Sequence, residues 1–480
     1  MADLLKPDLC VIGAGSGGLS VAAIAAAFGV PVVLVERDRM GGDCLNAGCV
    51  PSKALLAAGH RAQAIREAAA FGIDVPEPVV DFARVRAHVR GVIASIAPND
   101  SAERFTAMGV KVIKAEARFV DARTVEAGDI RIQARRFVLA TGSRPAVPPI
   151  PGLDTVPYLT NETVFDLDVR PRRLIIVGGG PIGAELGQAM RRLGAEVVIL
   201  EAGRLLQRDD PEMAAVVGRA LVSEGVELRT GVAIQRIGGK AGAIEVTLAG
   251  GPGEAPETVE GSHLLLATGR SPTVEGLGLE EAGIAVERGA IRVDGGLRTS
   301  NRRVYAVGDC AGGGTEGLRF THAANYHAGI VVRRALFRLP ASVDNRVMPR
   351  VTYTDPELAA VGLTEEEARA RHGSVRILRW PVAENDRAQA ERRTQGHVKV
   401  LVGRGGRILG CSIAAAGAGD LIVPWMLAMR RNGTVSDIAN LVFPYPTLSE
   451  ISKRAAVEDL KPASRSGLLR GLAGALRWLG

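Results

Sequence analysis

The sequence predicts an α/β chain in which two βαβ-based domains, one inserted into the other, precede an α+β domain. Three observations predict it. A glycine-rich strand–turn–helix pattern occurs twice, a shorter strand–turn pattern occurs twice, and the texture changes near Pro349. At 480 residues the chain has room for about three domains. It can bury a large core without disulfide or metal staples. Apolar residues make up 47% and charged residues 23%, which excludes a disordered, collagen-like or small disulfide-stapled chain.

The first repeat is "LCVIGAGSGG…VPVVLVER" from Leu9 against "LIIVGGGPIG…AEVVILEA" from Leu174. Gly13, Gly15 and Gly18 recur as Gly178, Gly180 and Gly183, and Glu36 recurs as Glu201, all at an offset of 165. Each copy reads as an apolar strand, a glycine turn, an Ala-rich helix and a second apolar strand ending in an acid. This is the Rossmann-like dinucleotide-binding βαβ unit. The first glycine makes the tight turn, the second lets a pyrophosphate approach, and the third allows helix–strand packing. The helix N-terminus offers free N–H groups to phosphate. The acid, 23 residues after the first glycine in each copy, accepts from ribose hydroxyls. Two copies with matching acids imply two nucleotide sites.

The second repeat is "VLATGSRP" (138–145) against "LLATGRSP" (265–272), each a strand entering a glycine turn. The Pro-rich "AVPPIPGLD" follows the first of these as a linker, and "TSNRRVYAVGD" (299–309) supplies a later apolar strand ending in an acid. The expected boundaries are 1–149 and 273–345 for the outer nucleotide domain and 150–272 for the inserted one. Alternating strands such as 397–402 and 410–413 place an α+β domain at 346–465. Residues 466–480 form a separate basic tail.

The net charge is +7, and only 8 of the 59 basic residues are Lys. The Arg residues are scattered and aromatics amount to 4%, so a nucleic-acid partner is not expected. The first residues run straight into an apolar strand, and the longest apolar stretch, 21–35, is short and interrupted by Pro31. A cytoplasmic protein is expected, in which a disulfide serves redox chemistry rather than scaffolding.

Cys44 and Cys49 stand five apart in "GGDCLNAGCVPSK" (41–53), just after the first βαβ unit. Two buried small residues or an incomplete metal site are the plain alternatives. A pair flanked by glycines on a nucleotide-binding domain is better explained as a redox disulfide. Cys10, Cys310 and Cys411 lie in or beside apolar strands and are expected in the core. A thiol beside a helix N-terminus and a cation persists as thiolate. Lys53 falls one helical turn beyond Cys49, on the same face.

With these motifs the chain resembles the flavin-dependent pyridine nucleotide–disulfide oxidoreductases, among them dihydrolipoamide dehydrogenase, mercuric reductase and glutathione reductase. The resemblance covers nearly the whole chain. It implies FAD in the first unit, NAD(P)H in the second, and a homodimer formed through the third domain. It implies that Cys49 faces the flavin and Cys44 the substrate, and that Glu185 pairs with Lys53. Glu36 holds the FAD ribose, Ala117 packs near the adenine, and Asp309 binds the ribityl chain. Gly42 and Gly142 belong to the same cofactor site. Thr321 and His322 open a helix whose positive end points at the reduced flavin. Ile182 sits where the nicotinamide enters, and Val232 and Gly269 line that site. Glu201 favours NAD(H) over NADP(H), because it accepts from a 2′-hydroxyl and repels a 2′-phosphate; Arg204 is the nearest following Arg.

One motif departs from the pattern. In dihydrolipoamide dehydrogenases and glutathione reductases the C-terminal signature is His-Pro-Thr-x-x-Glu, with the His as acid/base. Here "FPYPTLSE" puts Tyr445 at that place and keeps Glu450. A Tyr near pKa 10 is not a comparable base at neutral pH. Mercuric reductase resembles this chain in its Tyr, but carries a C-terminal Cys pair that "LLRGLAGALRWLG" lacks. The acceptor is thus a thiol/disulfide molecule or a soft metal ion, which two thiolates suit; the alternative is a flavoprotein that passes electrons to a membrane-associated partner. In the tail, Leu468, Leu469, Leu472, Leu476 and Leu479 fall near one helical face beside Arg470, Arg477 and Trp478. Such a helix either packs on its own dimer or makes peripheral contact with anionic lipid.

Overall fold

The computed structural model describes residues 3–251, 255–313, 319–461 and 467–478. They gather into two compact units, 1–202 with 231–343 and 203–230 with 344–480.

The first unit holds both glycine-rich repeats. Strand β1 (Leu9–Ile12) is fully buried and leads into helix α1 (Ser16–Ala27) and strand β2 (Val32–Glu36). Helices α2 (Gly42–Asn46) and α3 (Cys49–Glu67) follow, then strands β3 (Lys111–Lys114) and β4 (Arg136–Leu139). The second repeat builds β5 (Arg173–Val177), α4 (Pro181–Arg192) and β6 (Glu196–Glu201). Strands β7 (His263–Leu266) and β8 (Val304–Ala306) and helix α5 (Thr321–Ala335) complete the frame.

Two parallel sheets result. One runs β8–β4–β1–β2–β3, and in the other β6, β5 and β7 are neighbours in that order. Parallel strands buried on both faces need near-continuous apolar sequence, which Leu9–Ile12 and Leu174–Val177 supply. Between β6 and β7 the antiparallel strands Ile234–Lys240, Ala243–Leu248 and Glu257–Gly261 form a three-stranded sheet, whose Ile237, Val246 and Val259 share one core with Ile175 and Val177 of β5 and Leu264 of β7.

In the second unit five antiparallel strands form one sheet: β9 (Arg350–Thr352), β10 (Glu357–Gly362), β11 (Arg376–Pro381), β12 (His397–Val402) and β13 (Ile408–Ala415), ordered β9–β10–β13–β12–β11. The core behind it is built on Trp425, Ile413 and Ile451, and the Trp425 indole N–H donates to Ser452 Oγ at 3.0 Å. The expected strand at 410–413 is longer, Ile408–Ala415. The sequence boundaries assign 203–230 to the inserted domain, whereas these residues gather with the C-terminal unit. Charge gives a physical reason. Helix Pro211–Ser223 opens at Asp210 and Glu212, whose carboxylates lie 2.9 and 2.8 Å from Lys399 Nζ; Glu365 lies at 2.7 Å. Lys399 is 3% exposed. Burial would lower its pKa, but the three carboxylates more than offset that and raise it. Lys399→Ala leaves Asp210 buried without its cation, at a cost of about 3 kcal/mol. The expected result is a fall of roughly 6–12 °C in the unfolding midpoint of this unit. A shift within a degree would show that water replaces the ammonium.

Cys10, Cys310 and Cys411 are buried, as expected of core residues. Burial pushes the Cys10 thiol up to about 12, so it is inert at neutral pH. No helix among the described residues is long and apolar enough to cross a membrane. In the tail a helix spans Gly467–Leu476, and Leu468, Leu469, Leu472, Leu476 and Trp478 are all exposed. Ser466, Leu479 and Gly480 lie outside the described residues.

Candidate active site

Backbone geometry explains the glycines of each repeat. Gly13 and Gly178 have φ of +102° and +111°, and a Cβ on either would sit 2.4 Å from the carbonyl oxygen of Ala140 or Ala267. A Cβ on Gly18 or Gly183 would lie 1.9 or 2.0 Å from the carbonyl oxygen of Gly13 or Gly178. At Gly180 a Cβ would meet open space, and at Gly15 only Gly42 Cα at 3.9 Å. The first and third glycines are therefore packing requirements, and the second leaves room for a ligand. Gly15 and Gly180 cap α1 and α4 without a side-chain hydrogen bond, so first-turn N–H groups point into that room.

The two acids are equivalent. Glu36 Oε2 accepts from the Ala14 N–H and Glu201 Oε2 from the Gly179 N–H, each at 2.6 Å. Beside Glu36 lies a cavity of about 400 Å³, lined also by Asp38, Met40, Asn46 and Lys114. Ala117 is buried in the strand Ala117–Phe119, shortly beyond Lys114. Each turn thus fits a dinucleotide: a cradle a Cβ would fill, a helix N-terminus and an anchored carboxylate.

Asp309 is mostly buried and accepts from Ser143 Oγ at 2.5 Å, with Arg270 Nε at 3.8 Å. Burial raises its pKa against the pull of Ser143 and Arg270. Gly42 (φ +58°), Gly142 (φ +66°) and Gly269 (φ +117°) take left-handed backbone. Ile182 is half-buried in the first turn of α4, and the Val232 N–H donates to the Glu201 carbonyl at 3.2 Å.

The cysteines stand at the end of β2's connection. Gly41, with φ +84°, starts α2, and Asn46 Nδ2 donates back to the Met40 and Gly42 carbonyls at 3.0 and 2.8 Å. Gly48 permits the return, because a Cβ there would be 2.9 Å from the Asp43 carbonyl oxygen. Cys44 and Cys49 are free thiols, hydrogen-bonded to each other. Thr321 Oγ1 lies 3.2 Å from Cys49 Sγ. The Cys44 hydrogen bond, Thr321 and the Lys53 charge together hold Cys49 well below the usual thiol range, against burial and the Asp43 charge. That same hydrogen bond, with burial, pushes Cys44 up. The environment thus favours the thiolate at Cys49 over Cys44.

Lys53 Nζ donates to Glu185 Oε2 at 2.7 Å, and Glu185 is buried. Helices α3 and α4 cross closely at Gly59, where a Cβ would lie 3.4 Å from Ala189, which brings Lys53 onto the second repeat. Thr321 and His322 begin α5, and the His322 ring stacks on Phe320 at 5.1 Å.

In the second unit Tyr445 is 69% exposed and its hydroxyl donates to Asp386 Oδ2 at 2.8 Å. That bond, with the Asp386 and Glu450 charges, raises the phenol above its ordinary pKa. Glu450 begins the helix Glu450–Val457. Sequence reasoning missed Asp386, Asn161 and Arg270. Arg270 stands inside the second short repeat, but nothing in the spacing signals its partners.

Two family models match the chain. "Pyridine nucleotide-disulphide oxidoreductase" covers residues 7–328, and the dimerisation domain of the same name covers residues 348–456. The mercuric reductase of Lysinibacillus sphaericus is 35% identical over 455 residues, 94% of this chain and 82% of that protein. The dihydrolipoyl dehydrogenase of Bacillus subtilis is 35% identical over 461 residues, 94% of this chain and 96% of that protein. Among solved structures, the Cu(II) complex of the HOCl-induced flavoprotein disulfide reductase RclA from Escherichia coli superposes with a TM-score of 0.83 at 28% identity, covering 94% of this chain and 99% of that one.

Proposed function

The chain belongs to the pyridine nucleotide-disulphide oxidoreductases, flavoenzymes that use a pyridine nucleotide, and we propose that it passes two electrons from NADH through FAD and the Cys44–Cys49 pair to a thiol/disulfide substrate. The observation that carries the reading is the juxtaposition of two free thiols, Cys44 and Cys49, with Thr321 Oγ1 3.2 Å from Cys49 Sγ and Lys53 held by Glu185 at 2.7 Å. FAD, when bound, supplies a two-electron carrier between the nicotinamide and the disulfide. Cys49 would stand on the FAD side of the pair, and Cys44, once its proton has passed to Cys49 across their shared hydrogen bond, would attack the acceptor as a thiolate. Lys53, oriented by Glu185, offsets negative charge at the centre. His322 and Thr321 hold the N-terminal end of α5 toward the same place. Glu36, Gly13, Gly15, Gly18, Gly42, Gly142, Ala117 and Asp309 hold FAD; Gly178, Gly180, Gly183, Ile182, Val232 and Gly269 hold the nicotinamide nucleotide. The chain works as a homodimer through its C-terminal domain, where Val423, Leu427, Leu441 and Val442 are exposed.

Dihydrolipoamide-dependent NAD⁺ reduction by the FAD-loaded protein at neutral pH tests the reading. Turnover above the free-flavin background supports it. A second reading has a specific observation behind it. The Tyr445 hydroxyl donates a hydrogen bond to Asp386 and keeps its proton at neutral pH, so the usual thiol base is missing. A soft metal ion needs no such base, and Hg(II)-dependent NADH oxidation with negligible dihydrolipoamide turnover would select it.

Glu201, anchored by Gly179, is the reason for preferring NADH. We expect kcat/KM for NADH to exceed that for NADPH by roughly tenfold or more, and Glu201→Ala to narrow the ratio. An unchanged ratio in the variant would place nucleotide choice elsewhere. The exposed leucines of Gly467–Leu476, with Arg470 and Arg477 beside them, suit peripheral contact with anionic lipid. Full-length protein should sediment with anionic liposomes and a 1–465 truncation should not; equal partitioning would exclude that contact.

A further inference from the structure

Arg270 follows the glycine turn that ends β7 and is only 12% exposed. Its guanidinium fork meets Ser143, Asn161 and Asp43. Nε donates to Ser143 Oγ at 2.7 Å, and Nη2 donates to the Ser143 carbonyl at 2.8 Å. Nη1 donates to Asn161 Oδ1 at 3.2 Å, and Nη2 stands 3.2 Å from Asp43 Oδ1. Asn161 is buried, and its Nδ2 donates to Asp43 Oδ1 at 3.0 Å and to the Ala47 carbonyl at 3.1 Å. Asp43 immediately precedes Cys44, and Ala47 stands two residues before Cys49. One side-chain amide therefore grips the residue just before Cys44 and a carbonyl inside the segment that separates the cysteines, and Arg270 orients that amide by donating to its oxygen.

We propose that Asn161 and Arg270 are positioning residues for the redox pair: they hold the Asp43–Ala47 connector at the span from which the Cys44 and Cys49 sulfurs bond. The inference rests on the reading that these cysteines exchange between dithiol and disulfide. The physics is effective concentration. A disulfide tolerates only a narrow range of Cα and Cβ separations. A connector already fixed near that range makes ring closure favourable, and a loose connector makes the two thiols compete with solvent thiols as independent groups. Arg suits the task better than Lys, because a planar fork reaches Ser143, Asn161 and Asp43 at once. The network also ties the connector to the strand end that closes the second nucleotide unit, since Gly269 and Arg270 are consecutive.

The test equilibrates full-length, FAD-loaded protein in glutathione redox buffers. The reaction is Cys44–SH plus Cys49–SH plus oxidised glutathione giving the Cys44–Cys49 disulfide plus two reduced glutathiones. Free thiols are then trapped with a mass tag and counted. Wild-type protein, Asn161→Ala, Asn161→Ser and Arg270→Lys are compared, with unfolding midpoint and FAD content measured beside them. Asn161→Ala should lower the equilibrium constant for disulfide formation by about tenfold or more. Asn161→Ser keeps one donor and should fall between it and wild type. Arg270→Lys should also lower the constant without a matching loss of FAD. If Asn161→Ala does not fold, Asn161→Ser and Arg270→Lys carry the test. A wild-type disulfide with constants within twofold in all folded variants would overturn the clamp alone. A wild-type protein that forms no Cys44–Cys49 disulfide would overturn the clamp together with the relay on which it rests.

Discussion

Cys49→Ser should abolish acceptor turnover, lowering NADH-driven kcat by at least about 10³-fold, while NADH still bleaches the flavin absorbance of the variant. The reason is chemical division of labour. The dinucleotide turns at Gly13 and Gly178 do not depend on the cysteines, so nucleotide binding and hydride delivery survive. The variant loses the Cys49 sulfur, whose pKa is lowered by the hydrogen bonds with Cys44 and Thr321 and by the Lys53 charge, and with it the disulfide. Nucleophilic relays of this type act as a unit, so removing one member costs nearly as much as removing both. Stopped-flow flavin absorbance and steady-state turnover on the same sample check it. Retained turnover would show that electrons leave by another route.

Tyr445→His should raise dihydrolipoamide-dependent NAD⁺ reduction by about 10²-fold, the usual scale of a positioned general base. Its sign follows from Asp386. The hydrogen bond to that carboxylate raises the Tyr445 pKa, so at neutral pH the phenol carries its proton and donates it. Such a group accepts no proton from dihydrolipoamide. Any base function in the native protein therefore grows only as pH climbs past the ordinary phenol range. The variant should instead gain an inflection near the imidazole pKa, about 6.5. A pH–rate profile from pH 5 to 11 distinguishes the two. No gain in the variant, with fast native turnover at pH 7, would show that this position does not handle the substrate proton.

Much of the fold was legible because its determinants are local. Gly13 and Gly18 face a carbonyl oxygen within 2.4 Å of where a Cβ would be. Only glycine survives there, so the pattern must be written in the sequence. The apolar runs at Leu9–Ile12 and Leu174–Val177 are readable for the same reason, since a parallel strand buried on both faces has no polar alternation. The Cys44–Cys49 spacing and its glycines follow from a short connector that folds back on itself at Gly48.

Other features were invisible, and for one physical reason: their partners come together only when distant segments fold. Segment 203–230 follows the second repeat in the chain, yet gathers with the C-terminal unit, where a buried ammonium at Lys399 meets Asp210 and Glu212. Tyr445 was recognisable as a departure from a motif, but its hydrogen bond to Asp386 spans 59 positions. Asn161 and Arg270 lie 118 and more positions from Asp43, and neither belongs to a periodic pattern.

The sequence by itself determined two nucleotide units, a closely spaced cysteine pair between them and a Tyr in place of the expected His, because short-range sterics and thiol spacing permit few residue types. Tertiary structure alone decided which groups surround each cysteine, what Asn161 and Arg270 touch and which acid faces Tyr445. Those outcomes depend on hydrogen bonds and charges at three ångströms between residues far apart in the chain, and no local rule records such distances.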